Sequence, residues 1–431
     1  MSDTGSRERT PAVAMERVSF YPQGRALQEG IARRKRVGRI VQAVLLAAIV
    51  VATMALTALL ANIIDQAFGY VAVVNQVDPR ALGPEGQPLG ELAPDALVSV
   101  LAERLSPNLL RRLDGERPLA ERGREELEGL VMEYVVRPRI VASWSLSASL
   151  FQRDTIADEV QGRYPGARLE FRSWVNAGLL TRPQSGDPEG AGIRPALLGS
   201  LWMMAITILF AFPVGVGAAI YLEEYAEDTL LRRVIETNID NLAGVPSIIY
   251  GMLGLAVFVR ALQPLSSGAV FGVVDPANAS GRTVLAAGVT LGLLVLPLVI
   301  ISAREAVRAV PLSRRQASYA LGATRWQTVW HHVIPGALPG ILTGTILAVS
   351  RAIGETAPLV VVGASTFVAI DPTGPFAKFT ALPVQVYQWT LRPQSQFRNL
   401  AAATILVLLV LLLAMNASAV ILRNRLRREL S

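Results

Sequence analysis

The segment 314–363, RRQASYALGATRWQTVWHHVIPGALPGILTGTILAVSRAIGETAPLVVVG, contains the most informative residues of this chain. A polar loop punctuated by proline leads into an apolar run that carries Arg351 and Glu355. An ionised side chain at the centre of a membrane helix costs roughly 2.5–3.5 kcal/mol on insertion scales, so such residues usually line a pathway or bind a substrate. The pair therefore predicts a functional site inside a membrane span.

The composition is that of a membrane protein. The chain has 431 residues, a mean hydropathy of +0.40, 52% hydrophobic residues and 17% charged residues, values that soluble domains seldom reach. A span needs about 20 residues to cross the hydrocarbon core. Five charge-free windows are near or above that length, between residues 39 and 65, 194 and 223, 240 and 260, 282 and 304, and 398 and 423. A sixth span, within about 338–367, contains Arg351 and Glu355. The sequence thus predicts an all-α membrane protein with six transmembrane helices.

Basic residues near the span ends predict the orientation. They cluster before the first span, between the fourth and fifth spans, and after the last span (Arg33–Arg39, Arg304–Arg325 and Arg423–Arg428). Positive segments stay in the cytoplasm, which places both termini inside and the 65–194 segment outside. Glu223 and Glu224 fall in a predicted cytoplasmic loop and count little under this rule. The first apolar run exceeds the roughly 7–15 residues of a signal peptide, which favours an uncleaved anchor helix.

These spans divide the chain into successive segments. We predict a cytoplasmic tail at 1–39, transmembrane helix 1 at 40–64, a mainly helical periplasmic domain at 65–194, a core of five transmembrane helices at 195–425 with a cytoplasmic loop at 304–335, and a cytoplasmic C-terminus at 426–431. Helix-like runs at 95–113 and 119–136 support the helical character of the outer domain.

Several kinds of site are excluded by residue type. The chain has no cysteine, and its two lysines, Lys35 and Lys378, lie outside any GxxxxGK[ST] phosphate loop. The only histidines, His331 and His332, are adjacent and would point to different sides of a helix, which disfavours a shared metal site. We therefore predict no catalytic residue, metal or cofactor here. If transport is driven by ATP, a separate subunit must bind ATP and Mg²⁺.

The cytoplasmic loop at 304–335 predicts a short helix over 313–321, a stop at Gly322 and a second amphipathic turn through Trp326 and Trp330. Glycine suits the left-handed position that follows a helix. Two interpretations remain open from composition. The loop docks into a groove of another protein, or its tryptophans lie among lipid headgroups.

Residue spacing within this loop resembles the EAA loop of ABC importer permeases, E-A-A-x3-G-x9-I-x-L-P. The matching positions are Gln316, Ala317, Ser318, Gly322, His332, Ile334 and Pro335. Gln316 replaces the acidic residue, and His332 replaces the apolar one. Four further stretches, YLEEY (221–225), NLAGVPSIIYG (241–251), ALGA (320–323) and RAIGETAP (351–358), resemble the PstA family of A-type permeases of bacterial phosphate importers.

The resemblance covers about residues 195–425 and implies a type I ABC importer permease fold. It implies a PstC-type permease as the heterodimer partner, a PstB-type ATPase dimer beneath and a periplasmic phosphate-binding protein above. It also implies that the loop from Gln316 to Pro335 couples this chain to the ATPase. The chain would then be a transport subunit and not an enzyme.

The candidate substrate site consists of Arg351, Glu355 and Thr356. A helix that starts near Leu338 and rises about 1.5 Å per residue places Arg351 roughly 20 Å along, near the bilayer midplane. Glu355 follows one turn later on the same face. The arginine fork matches two phosphate oxygens, and the resemblance links this motif, including Thr356, with phosphate translocation. Glu355 either holds Arg351 or accepts a hydrogen bond from the proton that phosphate carries and sulfate lacks.

Other interpretations remain. Arg351 and Glu355 could form an ion pair that only fixes helix packing. The chain could be a permease for another oxyanion, such as phosphonate, molybdate or sulfate. It could also be a membrane-tethered sensor or assembly protein that acts through its outer domain, although neither the intramembrane charges nor the EAA-like loop would then be needed.

Overall fold

The computed structural model of the protein describes residues 25–77, 79, 82, 89–136, 138–273, 280–364 and 367–429. The first 24 residues of the predicted tail, and the last two of the predicted C-terminal segment, lie outside the described residues. The chain divides into two units, 1–62 and 63–431. Helix α1 (Arg25–Ala67) has 43 residues and contains the first predicted span.

A three-stranded antiparallel sheet follows α1 directly. Its strands are β1 (Phe68–Asn75), β2 (Pro138–Ser143) and β3 (Arg168–Ser173), in the order β2-β1-β3. The short helices of this region are α2 (Pro94–Arg104), α3 (Pro107–Glu116), α4 (Arg124–Val131), α5 (Leu146–Phe151), α6 (Arg153–Arg163) and α7 (Ala177–Thr181). The sheet is an addition to the predicted all-α fold class, which is otherwise confirmed because the chain is mostly helical.

The two faces of the sheet are covered by different parts of the chain. Val71, Ile140 and Trp174 pack in one buried cluster with residues of the last two helices, such as Trp389 and Phe397. The opposite face packs against α5 and α6. Apolar residues of α2, α3 and α4 form a separate core. Burial of apolar area on both faces fixes the register, because a slip of one residue would exchange the faces.

The remaining helices form a bundle. They are α8 (Arg194–Ile220), α9 (Leu230–Ala243), α10 (Ser247–Gly254), α11 (Gln263–Ser266), α12 (Val284–Arg308), α13 (Leu312–Ala320), α14 (Arg325–Thr328), α15 (Ile334–Gly354), α16 (Ala357–Val362), α17 (Leu382–Thr390) and α18 (Ser395–Glu429). Single wider, π-helical turns extend α8 over Tyr221–Tyr225, α10 over Leu255–Ala261 and α14 over Val329–Val333.

Five helices of the described chain are long and apolar enough to cross a membrane. They are Gln28–Ala67, Arg194–Tyr225, Val284–Arg308, Arg325–Gly354 and Ser395–Arg425. A sixth candidate is the pair Leu230–Ala243 and Ser247–Ala261, which is bent by 106°. The predicted span at 240–260 therefore contains a helix break near its start. Pro246 has no N–H and disfavours helical backbone at Val245, so the helix stops and restarts at this point.

The predicted span at 338–367 is also corrected. Helix α15 begins at Ile334, directly after the turn Val329–Val333, and ends at Gly354. Arg351 consequently lies in the last turn of α15 and not halfway along a helix that starts at Leu338. Glu355 lies beyond the helix end, so it does not extend the same helical face.

Helix α12 lies at the centre of the bundle, between α8 and α15. Glycines allow α8 and α15 to pack closely on α12. A β-carbon at Gly215 of α8 would lie 2.7 Å from Val299, and one at Gly340 of α15 would lie 2.7 Å from Ala306. Small residues that bring backbones together are the usual basis of packing between membrane helices.

Candidate functional site

The candidate substrate residues lie at a break between two helices. Glu355 has extended backbone, with φ −77° and ψ 116°, and its N–H donates to the carbonyl of Ala352 at 3.2 Å. Pro358 lies in the first turn of α16, where a missing N–H costs nothing. Gly354 contributes the lowest helix propensity of any residue except proline. The Gly-Glu-Thr-Ala-Pro sequence therefore ends one helix and starts another.

Helix α10 supports this break from one side. A β-carbon at Gly251 would lie 2.7 Å from the Cα of Pro358 and 3.0 Å from its carbonyl oxygen. Only glycine permits this distance, since a contact under 3.0 Å to backbone requires a shift. The two stretches 241–251 and 351–358 of the PstA-like pattern thus meet in the folded chain.

The Arg351 and Glu355 side chains contact each other across the break. Arg351 Nε lies 3.5 Å from Glu355 Oε1, a long and weak hydrogen bond. The Arg351 side chain is 51% exposed, whereas that of Glu355 is 20% exposed. Among the described residues, no other hydrogen-bond acceptor is recorded for the Arg351 guanidinium. Its two Nη groups are thus oriented by Glu355 and available to an anion.

Thr356 lies next to this pair, half-buried, and its hydroxyl does not cap α16. The opposite side of α15 is apolar. Ala352 and Ile353 line a cavity of about 180 Å³ together with Met203, Met204 and other residues without charge. That cavity suits an apolar group, so an anion would approach on the Arg351 side.

The predicted coupling loop forms the expected helix, turn and second helix. Helix α13 ends at Ala320, and Gly322 adopts left-handed backbone with φ +82°. The side chain of Thr324 caps α14, and the Thr324 N–H donates in return to Gln327 Oε1 at 2.9 Å. The buried Ser318 and Thr328 hydroxyls lie 2.9 Å apart and join the two helices.

The loop presents an apolar surface to solvent. Trp326 and Trp330 stack with ring centroids 5.5 Å apart, and both rings are exposed. Leu321 is 89% exposed at the tip of the turn. Among the residues that match the EAA pattern, Gln316 and Ala317 are exposed, while Ile334 and Pro335 are half-buried. Exposed apolar patches of this kind mark interaction surfaces.

A group of ion pairs connects the end of α8 with α9 and α12. Arg304 donates to Glu223 at 2.9 Å and to Glu236 at 2.6 Å. Arg308 also donates to Glu223, at 2.7 Å, and Arg232 donates to Glu236 at 2.9 Å. Charges that share partners in this way lose less side-chain entropy per contact than isolated pairs.

Arg315 joins the coupling helix α13 to the same region. Its Nε and Nη2 donate to Glu224 Oε1 at 3.0 and 2.8 Å. Its Nη1 and Nη2 donate to the carbonyls of Val310 and Val307 at 2.6 and 2.9 Å. The Arg315 and Glu224 side chains are only 13% and 7% exposed. The coupling helix is therefore tied to both α8 and α12.

These acidic residues have no predicted role beyond a minor one in orientation. Two signals were present. Glu223 and Glu224 fall within the PstA-like YLEEY stretch, and Arg304 and Arg308 are four residues apart, on one helix face. Nearby, the Arg233 guanidinium hydrogen-bonds to Asp228 at 3.0 Å and lowers the pKa of that carboxyl.

Comparison with known proteins shows the family of this chain. Residues 211–428 match the family model described as "Binding-protein-dependent transport system inner membrane component". The chain belongs to this family of ABC importer permeases. The matched region includes the coupling loop, the break at Glu355 and Thr356, and four of the five straight candidate spans in whole or in part.

Individual relatives agree with the family. The permease is 30% identical over 233 residues to "Probable ABC transporter permease protein YqgI" of Bacillus subtilis (strain 168), with 52% of this chain and 74% of the relative covered. It is 32% identical over 234 residues to "Phosphate transport system permease protein PstA" of Yersinia pestis, covering 54% and 72%. A permease chain in inward-facing structures of the MetNI methionine ABC transporter aligns with 53% of this chain and 93% of its own, at 16% identity and a TM-score of 0.38.

The predicted membership of the PstA family and the type I permease fold are confirmed by these relatives. A permease of this family is a multi-pass inner-membrane protein, is a transmembrane rather than a catalytic subunit, and works with an ATPase and a periplasmic binding protein.

Proposed function

We propose that this permease imports inorganic phosphate and that Arg351 binds the anion at the helix break. The observation that most supports this proposal is the exposed guanidinium of Arg351, which contacts Glu355 through one long hydrogen bond at the point where α15 ends. Several relatives at 30–36% identity are named as phosphate transport permeases, which supports phosphate as the substrate.

The chemistry of the three residues fits this role. A guanidinium stays protonated at any physiological pH and presents a planar fork to two oxygens of a tetrahedral anion. Glu355 orients that fork and offers a carboxylate oxygen to the proton of hydrogen phosphate. Thr356 adds a hydroxyl that can donate to a phosphate oxygen.

Phosphate uptake by variants tests the proposal. Cells without their own A-type permease receive the native chain, Arg351→Gln or the control Arg398→Gln, an exposed arginine at the start of α18. We expect the native chain and the control to import labelled phosphate, and Arg351→Gln to lose uptake by at least tenfold, about 1.4 kcal/mol, because a charge-assisted contact is removed.

Two outcomes would contradict the proposal. Normal uptake by an Arg351→Gln variant that assembles would exclude anion binding by Arg351. Failure of that variant to assemble would favour an ion pair that only fixes helix packing. Excess sulfate or molybdate in the same assay distinguishes phosphate from another oxyanion, since an importer of either would be inhibited by it.

We further propose the partners and the coupling route. A PstC-type permease completes the pathway, and a PstB-type ATPase dimer, which binds Mg²⁺ and ATP, receives the loop from Gln316 to Pro335. The exposed Leu321 and the stacked tryptophans supply the docking surface. Both termini are then cytoplasmic, and the phosphate-binding protein delivers its ligand from the opposite side.

A docking test uses the same loop. Leu321→Asp places a charge at the most exposed apolar point of the turn, so we expect the ATPase to be lost from the purified complex. The control Leu312→Asp alters another exposed leucine of the loop, the first residue of α13, which lies outside the EAA-like residues. Retention of the ATPase by Leu321→Asp would place the docking surface elsewhere.

A further inference from the structure

The short helix α5 is fixed next to the end of α1. Asp65 is the first charged residue after the apolar run 40–64. Its carboxylate accepts hydrogen bonds from Ser147 N at 2.6 Å and from Ser147 Oγ at 3.2 Å. Because Asp65 marks the end of a membrane span, these bonds place the start of α5 at the level where hydrocarbon gives way to headgroups.

The start of α18 lies at the same level, where hydrocarbon gives way to headgroups. Asn399 Nδ2 donates to the carbonyl of Gln66 at 2.8 Å, and Asn399 follows Arg398, the charge that begins the last apolar window. The ends of the spans in α1 and α18 therefore mark the same boundary of the membrane. The strand β1 leaves this boundary at Phe68 and reaches Tyr70 after roughly 7 Å, at about 3.3 Å per residue.

Polar contacts hold α5 against that strand. The buried Ser149 hydroxyl accepts from Tyr70 N at 2.8 Å and donates to the carbonyl of Ser145 at 2.6 Å. Because Ser149 faces the sheet, the following residues face away from it. Leu150 is 67% exposed and Phe151 is 85% exposed.

Aromatic and basic side chains continue this surface. Phe171 is exposed on β3 and packs edge-to-face on Tyr70, with ring centroids 5.7 Å apart. The Arg153 guanidinium lies 5.9 Å from the centre of the Tyr70 ring. Apolar side chains flanked by tyrosine and arginine are typical of segments in the headgroup region, where the rings and aliphatic stems meet hydrocarbon and the charges stay in water.

We propose that Leu150 and Phe151 insert into the leaflet at which α1 ends and anchor this side of the sheet to the lipid surface. The occupant of the patch is the bilayer, because α5 is bonded to the residue at the end of a span. An exposed phenylalanine next to an exposed leucine at this level has hydrocarbon within reach.

Single-cysteine labelling tests this placement, and the chain has no native cysteine to remove. Phe151→Cys, Leu150→Cys and the control Ser99→Cys, an exposed position on α2, are made in the full-length chain, assembled with its partner subunits in lipid nanodiscs and labelled with a nitroxide. Power saturation then compares collisions with oxygen, which concentrates in lipid, and with a water-soluble nickel complex.

We expect the labels at 150 and 151 to collide more often with oxygen than with the nickel complex, and the order to reverse at 99. A water-like ratio at both 150 and 151 would overturn the proposal. Low collision rates with both reagents would overturn it as well, because a protein partner would then cover the patch.

Discussion

Gly251 has a hydrogen where other residues have a β-carbon. Helix α10 can therefore pack against the backbone of Pro358 and support the helix break that contains the candidate site. The β-carbon of any other residue at 251 would meet the Pro358 backbone at 2.7 Å, two residues after Thr356. Backbone atoms move less readily than a side-chain end. A larger residue at 251 must therefore displace the helix break itself.

We predict that Gly251→Ala lowers the stability of the assembled permease by about 1–3 kcal/mol, the usual cost of overpacking, and reduces uptake. The thermal midpoint of the purified complex and its transport rate measure both effects. Gly217→Ala is the matched control, because nothing lies within 4 Å of the added methyl group. Equal midpoints for the two variants would refute the prediction.

Glu355→Gln tests the carboxylate at the same scale. An amide keeps the size of the side chain but removes the charge that favours a protonated anion. We therefore expect uptake of phosphate to become sensitive to sulfate competition, by roughly tenfold for a lost charged hydrogen bond. Unchanged selectivity in an assembled variant would leave Glu355 with only an orienting role for Arg351.

At the scale of elements, the coupling helix α13 depends on the Arg315 and Glu224 pair. Breaking a buried ion pair by removing one partner costs about 3–5 kcal/mol, because the remaining charge stays unpaired. The Arg315 and Glu224 pair lies where α8, α12 and α13 meet. Movement of α13 is thereby transmitted to two membrane helices at once.

We expect Glu224→Gln to uncouple transport, so that ATP hydrolysis by the reconstituted complex continues while phosphate uptake falls. Paired measurements of ATPase rate and uptake in proteoliposomes check this result. Asp228→Asn removes a carboxylate from the exposed pair with Arg233 and should change neither rate. A parallel loss of both activities in Glu224→Gln would indicate failed assembly and not uncoupling.

The elements differ in how far they could be predicted. The coupling loop was predictable, because glycine, capping residues and spacing are local signals. The break after Gly354 was not predicted, because the apolar residues on both sides favour one span, although Gly354 and Pro358 are local signals of a helix end and a helix start. The strand Phe68–Asn75 continues the apolar character of α1 without alternation, so periodicity could not distinguish it from helix. The ion pairs of Glu223 and Glu224 join residues 81 to 91 positions apart, which spacing alone does not reveal.

At the scale of the whole molecule, the sheet is held on the bundle by a shared apolar cluster and by a few polar contacts. Asn399 donates to Gln66 O and lies 3.3 Å from Ser143 Oγ, and Gln396 donates to Ile140 O at 3.0 Å. These bonds connect α18 with both the end of α1 and β2. The segment that contains the sheet is thus attached at the ends of two candidate spans.

We predict that Asn399→Leu loosens this attachment by roughly 1–3 kcal/mol, because the half-buried carbonyl of Gln66 loses a donor. Faster amide hydrogen exchange in β1 and β2, with unchanged exchange in α12, would be the measured result. Asn238→Leu is the control, since that exposed asparagine bonds only within its own helix. Uniform exchange changes across the bundle would contradict a local role.

The glycine contacts of α12 restrict what can move during a transport cycle. The side chains of Val299 and Ala306 pack directly on the backbones of Gly215 and Gly340, so sliding or rotation would create either a collision or a void, and both are costly in a close-packed interior. We therefore expect helices α8, α12 and α15 to move together as one rigid unit. Two breaks interrupt the described helices, at residues 244–246 and 355–356, so the anion site proposed at Arg351 would lie beside a point at which the chain can bend.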